Sequence, residues 1–259
     1  MTYTIASSNQ KGGVGKTTAT VNLADGFVRR GKRVLLIDMD PQSNATSVLS
    51  DVSPNSLRHT TTELILDPDP AVALASVRKT RIEGLDIVVS SIRLSRAAET
   101  ELMRRNTTTL NKRLEVLRPN YDIIILDCPP NLGRLTGNAL CAATHYLVPL
   151  KGGDIFSMDG IEDLEITAQE IRDDNPNLKF LGAFLNMFDG RKNVAKSLAS
   201  AAEKRFGDKL FNTRIPEAVI FAEAHALMKT VLELQRDGSA AKQVMELADE
   251  VLARLEKGE

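Results

Sequence analysis

Short apolar runs rich in β-branched residues recur along this chain at Tyr3–Ser8, Arg33–Asp38, Leu85–Ser90, Tyr121–Asp127, His145–Leu150 and Phe180–Asn186. Runs of this length, bounded by turn residues, predict strands buried on both faces. Between them the apolar positions repeat at helical spacing, as in Ala19, Val21, Leu23, Ala24, Phe27 and Val28. This spacing predicts helices over Lys16–Arg30, Ser95–Leu117, Met158–Asp174, Val194–Phe206, Pro216–Met228 and Ala240–Lys257. Gly31 and Gly207 stop two of them, because glycine closes a helix in the left-handed conformation without steric cost. Strand and helix therefore alternate, which predicts an α/β fold: a doubly wound, mostly parallel sheet with helices on both faces. The stretch Ser43–Val77, with Pro54, Pro68 and Pro70, predicts short helices and loops rather than a central strand. No repeat, low-complexity tract or linker interrupts the pattern, so a single domain over residues 1–259 is expected.

Composition narrows the class. At 259 residues and 42% apolar content the chain can bury a sizeable core. It has no apolar run of the roughly eighteen residues a membrane span needs, and no leader pattern precedes the first strand, so a cytoplasmic location is expected. Cys128 and Cys141 form neither a disulfide framework nor a C-x-x-C pair, and His59, His145 and His225 are scattered, so all five read as structural. A formal net charge of −1 excludes a uniformly basic nucleic-acid binder. Local excesses survive that average: ten basic against five acidic side chains from Arg78 to Arg118, and seven against three from Phe188 to Arg214. Solvated helix faces carry such excesses too.

Ligands of open α/β sheets sit beyond the carboxyl ends of the strands. After the first strand stands Asn9-Gln10-Lys11-Gly12-Gly13-Val14-Gly15-Lys16-Thr17-Thr18, a glycine-rich run that opens a helix. Glycines let successive N–H groups point at phosphate oxygens, and the helix adds the positive end of its dipole. In such a loop Lys16 reaches the β- and γ-phosphates and the Thr17 hydroxyl ligates Mg²⁺. The spacing G-x-x-x-x-G-K-[ST] is nevertheless broken, because Gln10 stands where the first glycine belongs. Lys11 is then one lysine more than the loop needs. A second lysine on the rim is placed to serve a nucleotide bound by another subunit, where transition-state charge spreads.

Two further strand ends are acidic. Asp127 closes Ile123-Ile124-Ile125-Leu126, a fully buried strand delivering one carboxylate to the site edge, where it would bind Mg²⁺ directly or through water opposite Thr17. Asp38-Met39-Asp40-Pro41-Gln42 follows the second strand. Asp40 is a candidate for orienting the water that attacks the γ-phosphate, and Asp38, on the same side of an extended segment, is its competitor; a turn or cap before Pro41 would use either.

Together, Lys11-Gly12-Gly13-Val14-Gly15-Lys16-Thr17-Thr18, Asp38-Met39-Asp40-Pro41-Gln42-Ser43-Asn44 and Asp127-Cys128-Pro129-Pro130-Asn131-Leu132-Gly133 resemble the ParA/Soj partitioning ATPases, within the ParA/MinD superfamily of deviant Walker P-loop NTPases. The similarity runs on through Leu185-Asn186-Met187-Phe188-Asp189-Gly190-Arg191 to Ile215-Pro216. The resemblance implies an Mg²⁺-dependent ATPase that forms a homodimer with ATP sandwiched at the interface. By it, Lys11 crosses to the partner's phosphates, Lys16 and the residues Gly12 to Thr18 bind within their own subunit, and Thr17 and Asp127 handle the metal. Asp40 matches the catalytic aspartate; Pro216 falls near the adenine, with Asn186 a candidate for its edge. The resemblance further implies that the ATP-bound dimer coats the nucleoid by binding double-stranded DNA without sequence preference, and is released by a ParB-type partner that stimulates hydrolysis. Arg191 matches a DNA-contacting arginine, with Lys192, Lys196, Lys204 and Arg205 close behind it.

Two departures stand out. Where relatives carry basic and asparagine residues after Ile-Pro, this chain has Glu217-Ala218-Val219-Ile220-Phe221, which weakens the expected phosphate contacts. Lys151-Gly152-Gly153-Asp154 replaces a more acidic, glutamine-containing turn. The first strand begins too early for a helix-turn-helix module ahead of the loop, so the short, Soj-like type is expected. Among the alternatives, a MinD-like membrane regulator ends in a basic amphipathic helix, whereas residues from Val244 to Glu259 are amphipathic but acidic and are expected to pack as a terminal helix without touching membrane. An iron–sulfur relative needs an interfacial cysteine pair that Cys128 and Cys141 do not provide. A ParA-like ATPase that positions a protein cargo, such as a chemoreceptor cluster or carboxysome, shares every motif above.

Overall fold

The isoleucine-rich run Ile123–Asp127 forms β5, a central strand, because no polar side chain before Asp127 would be stranded on either face. The computed structural model describes residues 2–53, 56–100, 107–154 and 158–258. The other strands are β1 (Tyr3–Ser7), β2 (Val34–Asp38), β3 (Val77–Lys79), β4 (Leu85–Val88), β6 (His145–Lys151), β7 (Lys179–Phe188) and β8 (Leu210–Pro216), in the sheet order β3-β4-β2-β5-β1-β6-β7-β8. All pairings are parallel except that of β3 with β4. Ser7 and Asp38 both pair in register with Asp127, so three strand ends terminate side by side at one edge of the sheet.

Alternate strand residues enter two cores. Ile5, Leu36 and Ile125 face Val21, Leu23 and Phe27 of the helix Lys16–Arg29 and Val244, Leu247 and Val251 of the terminal helix Ser239–Lys257. Leu35, Ile124, Leu126 and Val148 face Leu140 of the helix Arg134–Ala142, Leu164 of Asp159–Glu170 and Leu198 of Asn193–Phe206. This is the doubly wound arrangement that alternating strands and helices predict.

The terminal helix belongs to the core. A Cβ on Gly26 would come within 3.0 Å of the Ala248 methyl, so the two helices touch where glycine removes the side chain. Buried Arg254 donates to the carbonyls of Leu181, Lys209 and Leu210 at 2.9–3.2 Å and lies 3.8 Å over the Phe211 ring. Among the described residues no helix is long and apolar enough to cross a membrane.

Four elements differ from expectation. The edge strands β3 and β8 escape the apolar pattern because one side of each faces solvent, leaving Lys79, Asn212 and Arg214 in partly exposed strands. Pro216 ends β8 instead of starting a helix; the helix begins at Val219, after the extended residue Ala218. Of the single helix expected over Ser95–Leu117, residues 101–106 lie outside the described residues; on either side of them stand short helices at Arg93–Ala97 and Thr109–Leu114, the second preceded by Thr107 and Thr108, whose branched side chains disfavour helix. The region Ser43–Val77 does contain short helices: Asn44–Leu49, Thr61–Leu66 behind a Thr60–Glu63 capping box, and Pro70–Ser76 behind an Asp69 cap.

Candidate nucleotide site and the surface beside it

The loop between β1 and the helix Lys16–Arg29 turns on Gly13 and Gly15, whose φ angles of +72° and +77° lie in the left-handed region. Asn9 pins its start: the side chain donates to the Pro149 carbonyl at 2.9 Å and accepts from the Lys11 N–H at 2.9 Å. Asn186, at the end of β7, pins the far side by donating to the Val14 carbonyl at 2.8 Å. Gly12 and Gly13 stay exposed while Val14 is buried, so the loop is anchored below and open above.

Its two lysines go to different places. The Lys16 ammonium, largely buried, folds back over the loop to the Lys11 carbonyl at 3.1 Å, where burial lowers its pKa and the Asp127 charge opposes that shift. The Lys11 side chain leaves the loop and pairs with Asp154 at 2.8 Å.

The acidic strand ends also divide. Fully buried Asp38 accepts from the Thr46 N–H and hydroxyl at 2.9 and 2.7 Å and from the Asp40 N–H at 3.1 Å. It thereby braces the segment that carries Asp40. Among the described residues one side-chain oxygen of Asp40 accepts a hydrogen bond, from the Gln42 N–H at 2.9 Å. Asp127 is fully buried too, yet among the described residues neither of its oxygens has a partner in hydrogen-bonding geometry. Burial, then the neighbouring Asp38 charge, hold its pKa well above the ordinary carboxylate value, although the nearby Thr17 and Thr20 hydroxyls favour the charged form. A buried carboxylate without partners costs free energy unless a cation meets it. Among the described residues no three His, Cys, Asp or Glu side chains converge on a common point. The unpartnered Asp127 carboxylate beside the Thr17 hydroxyl is the donor set of a hard cation that takes its remaining ligands from phosphate and water, as Mg²⁺ does.

A cavity of about 410 Å³ opens beside the loop, walled by Thr18, Asn186, Met187, Pro216, Phe221 and His225. It brings Thr18, Asn186 and Pro216 together across three elements. Met187 and Phe221 lie in runs the sequence singles out and His225 reads there as structural, but nothing in the sequence assigns any of them to this cavity, since their place depends on how β7 ends and how the helix Val219–Ala226 lies over the loop.

The five basic candidates do not form one patch. Arg191 lies with its side chain 90% exposed but pairs with Asp189 at 2.8 Å, and Lys192 pairs with Glu217. Lys196 follows one turn into the helix Asn193–Phe206, whereas Lys204 and Arg205 close its last turn, about 12–14 Å from Lys196 along the axis. Arg205 pairs with Glu162 and Glu165 at 3.4 and 3.0 Å.

Comparison with known proteins agrees with this geometry. A family model described as an AAA domain matches residues 2–180. The sporulation initiation inhibitor protein Soj of Bacillus subtilis is 36% identical over 252 residues, 96% of this chain and 98% of that protein. The chromosome-partitioning ATPase Soj of Thermus thermophilus is 37% identical over 255 residues, covering 98% and 96%. Among solved structures, cobyrinic acid a,c-diamide synthase from Mycobacterium smegmatis, with bound ADP and magnesium, superposes with a TM-score of 0.85 at 29% identity, covering 100% and 97% of the two chains. With a phosphate loop, an acidic strand edge and full-length similarity in agreement, the chain belongs to the ParA/Soj family of P-loop ATPases.

Proposed function

We propose that this ATPase closes into a homodimer around two ATP molecules, binds double-stranded DNA without sequence preference in that state, and lets go when a ParB-type partner stimulates hydrolysis. The observation that carries this reading is the divergence of the two loop lysines. Lys16 lies over its own loop, while Lys11 points away from it and is held by a carboxylate, the kind of group a phosphate oxygen can replace. In each subunit the N–H groups of Gly12 to Thr18 and the Lys16 ammonium hold the phosphates, and the cavity beside Asn186 and Pro216 takes the adenine. Thr17 and Asp127 hold Mg²⁺, which supplies charge neutralisation at the β- and γ-phosphates. Asp40 orients the attacking water, braced through Asp38 and Thr46. Lys11 of the opposite subunit adds positive charge where it develops in the transition state.

The DNA contacts fall to Arg191, Lys192 and Lys196, with Lys204 and Arg205 at the far end of the helix. Three of the five are already paired with carboxylates, and the helix after Pro216 adds no lysine or arginine, with Val219 left 74% exposed. The surface is correspondingly weak, and salt-sensitive. The docked terminal helix argues against a membrane role and supports a cytoplasmic protein that joins the nucleoid in its ATP state. The test is a mobility shift on arbitrary duplex DNA across nucleotide states, paired with size measurement and repeated with the partner. Binding with ATP only, by a dimer, is expected; equal binding with ADP and ATP would remove the switched DNA surface.

A further inference from the structure

The Lys151-Gly152-Gly153-Asp154 turn, which carries the carboxylate that pairs with Lys11, is tightly built. Lys151 pairs with Asn186 as β6 ends beside β7, and the Gly152 N–H donates to the Asn186 carbonyl at 2.6 Å. A Cβ on Gly152 would lie 2.6 Å from both the Met187 oxygen and the Phe188 Cα, so no other residue fits flat against β7 there. Gly153 then takes a φ of +87°, and the Asp154 N–H closes the turn on the Lys151 carbonyl at 3.2 Å. The result aims the Asp154 carboxylate at Lys11, with contacts of 2.8 and 2.9 Å from its two oxygens. Asn9 meanwhile fixes the Lys11 backbone to the same strand through the Pro149 carbonyl. Releasing Lys11 therefore needs a side-chain rotation and no loop movement.

We propose that Asp154 is a positioning residue for Lys11: it holds the ammonium within its own subunit until a phosphate of the partner's nucleotide takes its place, and this rests on the two-subunit reading above. The carboxylate supplies the counter-charge that keeps Lys11 off its own phosphates, and it sets the threshold for dimer formation because each new trans contact must first break a cis one. The turn also shares Asn186 with the nucleotide cavity, so the arm that presents Asp154 is built on the wall that meets the base.

The test uses the full chain with Mg²⁺ and a slowly hydrolysed ATP analogue, followed by sedimentation velocity over a range of protein concentrations. A partly exposed ion pair shifts an equilibrium by about 1.4–5-fold, and a dimer breaks two, so Asp154→Asn should dimerise at roughly 2–25-fold lower concentration. Asp154→Ala should behave like Asp154→Asn, Asp154→Glu should return toward wild type, and analogue affinity of the monomer should stay within about twofold. An unchanged midpoint, or weaker dimerisation in Asp154→Asn, overturns the assignment while leaving the dimer intact. Absence of a dimer in wild type and variants alike overturns the two-subunit reading and the latch with it. A second measurement needs no dimer: limiting acylation of the nucleotide-free protein, read by mass spectrometry, should label Lys11 several-fold faster in Asp154→Asn. Equal labelling overturns the latch.

Discussion

The Asn186 amide nitrogen, at the end of β7, lies 2.8 Å from the Val14 carbonyl oxygen, so the phosphate loop is braced by a strand 172 residues away in sequence. A Cβ on Gly15 would meet that same nitrogen at 2.5 Å, and the φ of +77° there already disfavours any side chain. Asn186→Ala should leave a buried carbonyl without a donor, costing about 1–3 kcal/mol in unfolding free energy and loosening ATP binding by roughly tenfold. Gly15→Ala should cost more on both counts. Urea denaturation with calorimetric nucleotide titration checks both, and an Asn186→Ala protein with wild-type affinity would remove the brace from the binding site.

Asp127 makes metal-free stability depend on pH. Its pKa, and that of Asp38, are raised in the folded state by burial and by the charge of nearby carboxylates. For an acid raised above its unfolded value, the folded chain binds the extra proton. The stabilisation is complete below the ordinary carboxylate pKa and is lost as pH rises through the folded value. Without Mg²⁺ and nucleotide, the urea midpoint should therefore fall from pH 5 to pH 8, and Asp127→Asn should flatten the fall. A midpoint that rises with pH in wild type would contradict the assignment.

The lysines and Asp40 separate binding from turnover. Lys16→Ala should weaken ATP binding on the order of 100-fold, since a buried charge-assisted contact is lost. Lys11→Ala should keep monomer binding and lose the dimer or its hydrolysis. Asp40→Ala should keep ATP, lose about 10²–10⁴-fold in turnover and accumulate as dimer. A monomeric Asp40→Ala protein with ATP bound would sink the role given to that carboxylate.

On the DNA surface, Glu217 neutralises Lys192. Glu217→Gln should tighten ATP-dependent DNA binding and steepen the log–log salt slope by about one unit, whereas Arg191→Ala should weaken binding evenly across sequences and flatten the slope by about one. Filter binding between low and moderate salt distinguishes these outcomes. No response in either variant would place the DNA contacts elsewhere.

The central strands and the loop were legible because their signals are local. Ile123-Ile124-Ile125-Leu126 can only be a strand with both faces covered, and a glycine-rich run ending in Lys16-Thr17 between strand and helix has one chemistry. The choice between Asp38 and Asp40 was not local: two residues apart on one segment they are equivalent until Thr46, eight residues past Asp38, closes on Asp38, and the role proposed for Asp40 rests on that asymmetry. The edge strands β3 and β8 were illegible for a related reason, since a strand with a solvated side carries no continuous apolar run.

By itself, the order of residues determined the α/β alternation, the phosphate loop with its second lysine, and the acidic strand ends, because periodicity and motif spacing act over a few residues. Tertiary structure alone decided where each charged group goes. Lys11 meets Asp154 across 143 residues, Lys192 meets Glu217 across 25, and Arg205 meets Glu162 across 43, so that a stretch rich in cations becomes a mostly paired surface. The physical reason is that ion pairs form between whatever the fold brings within about 4 Å, a distance that sequence separation does not encode.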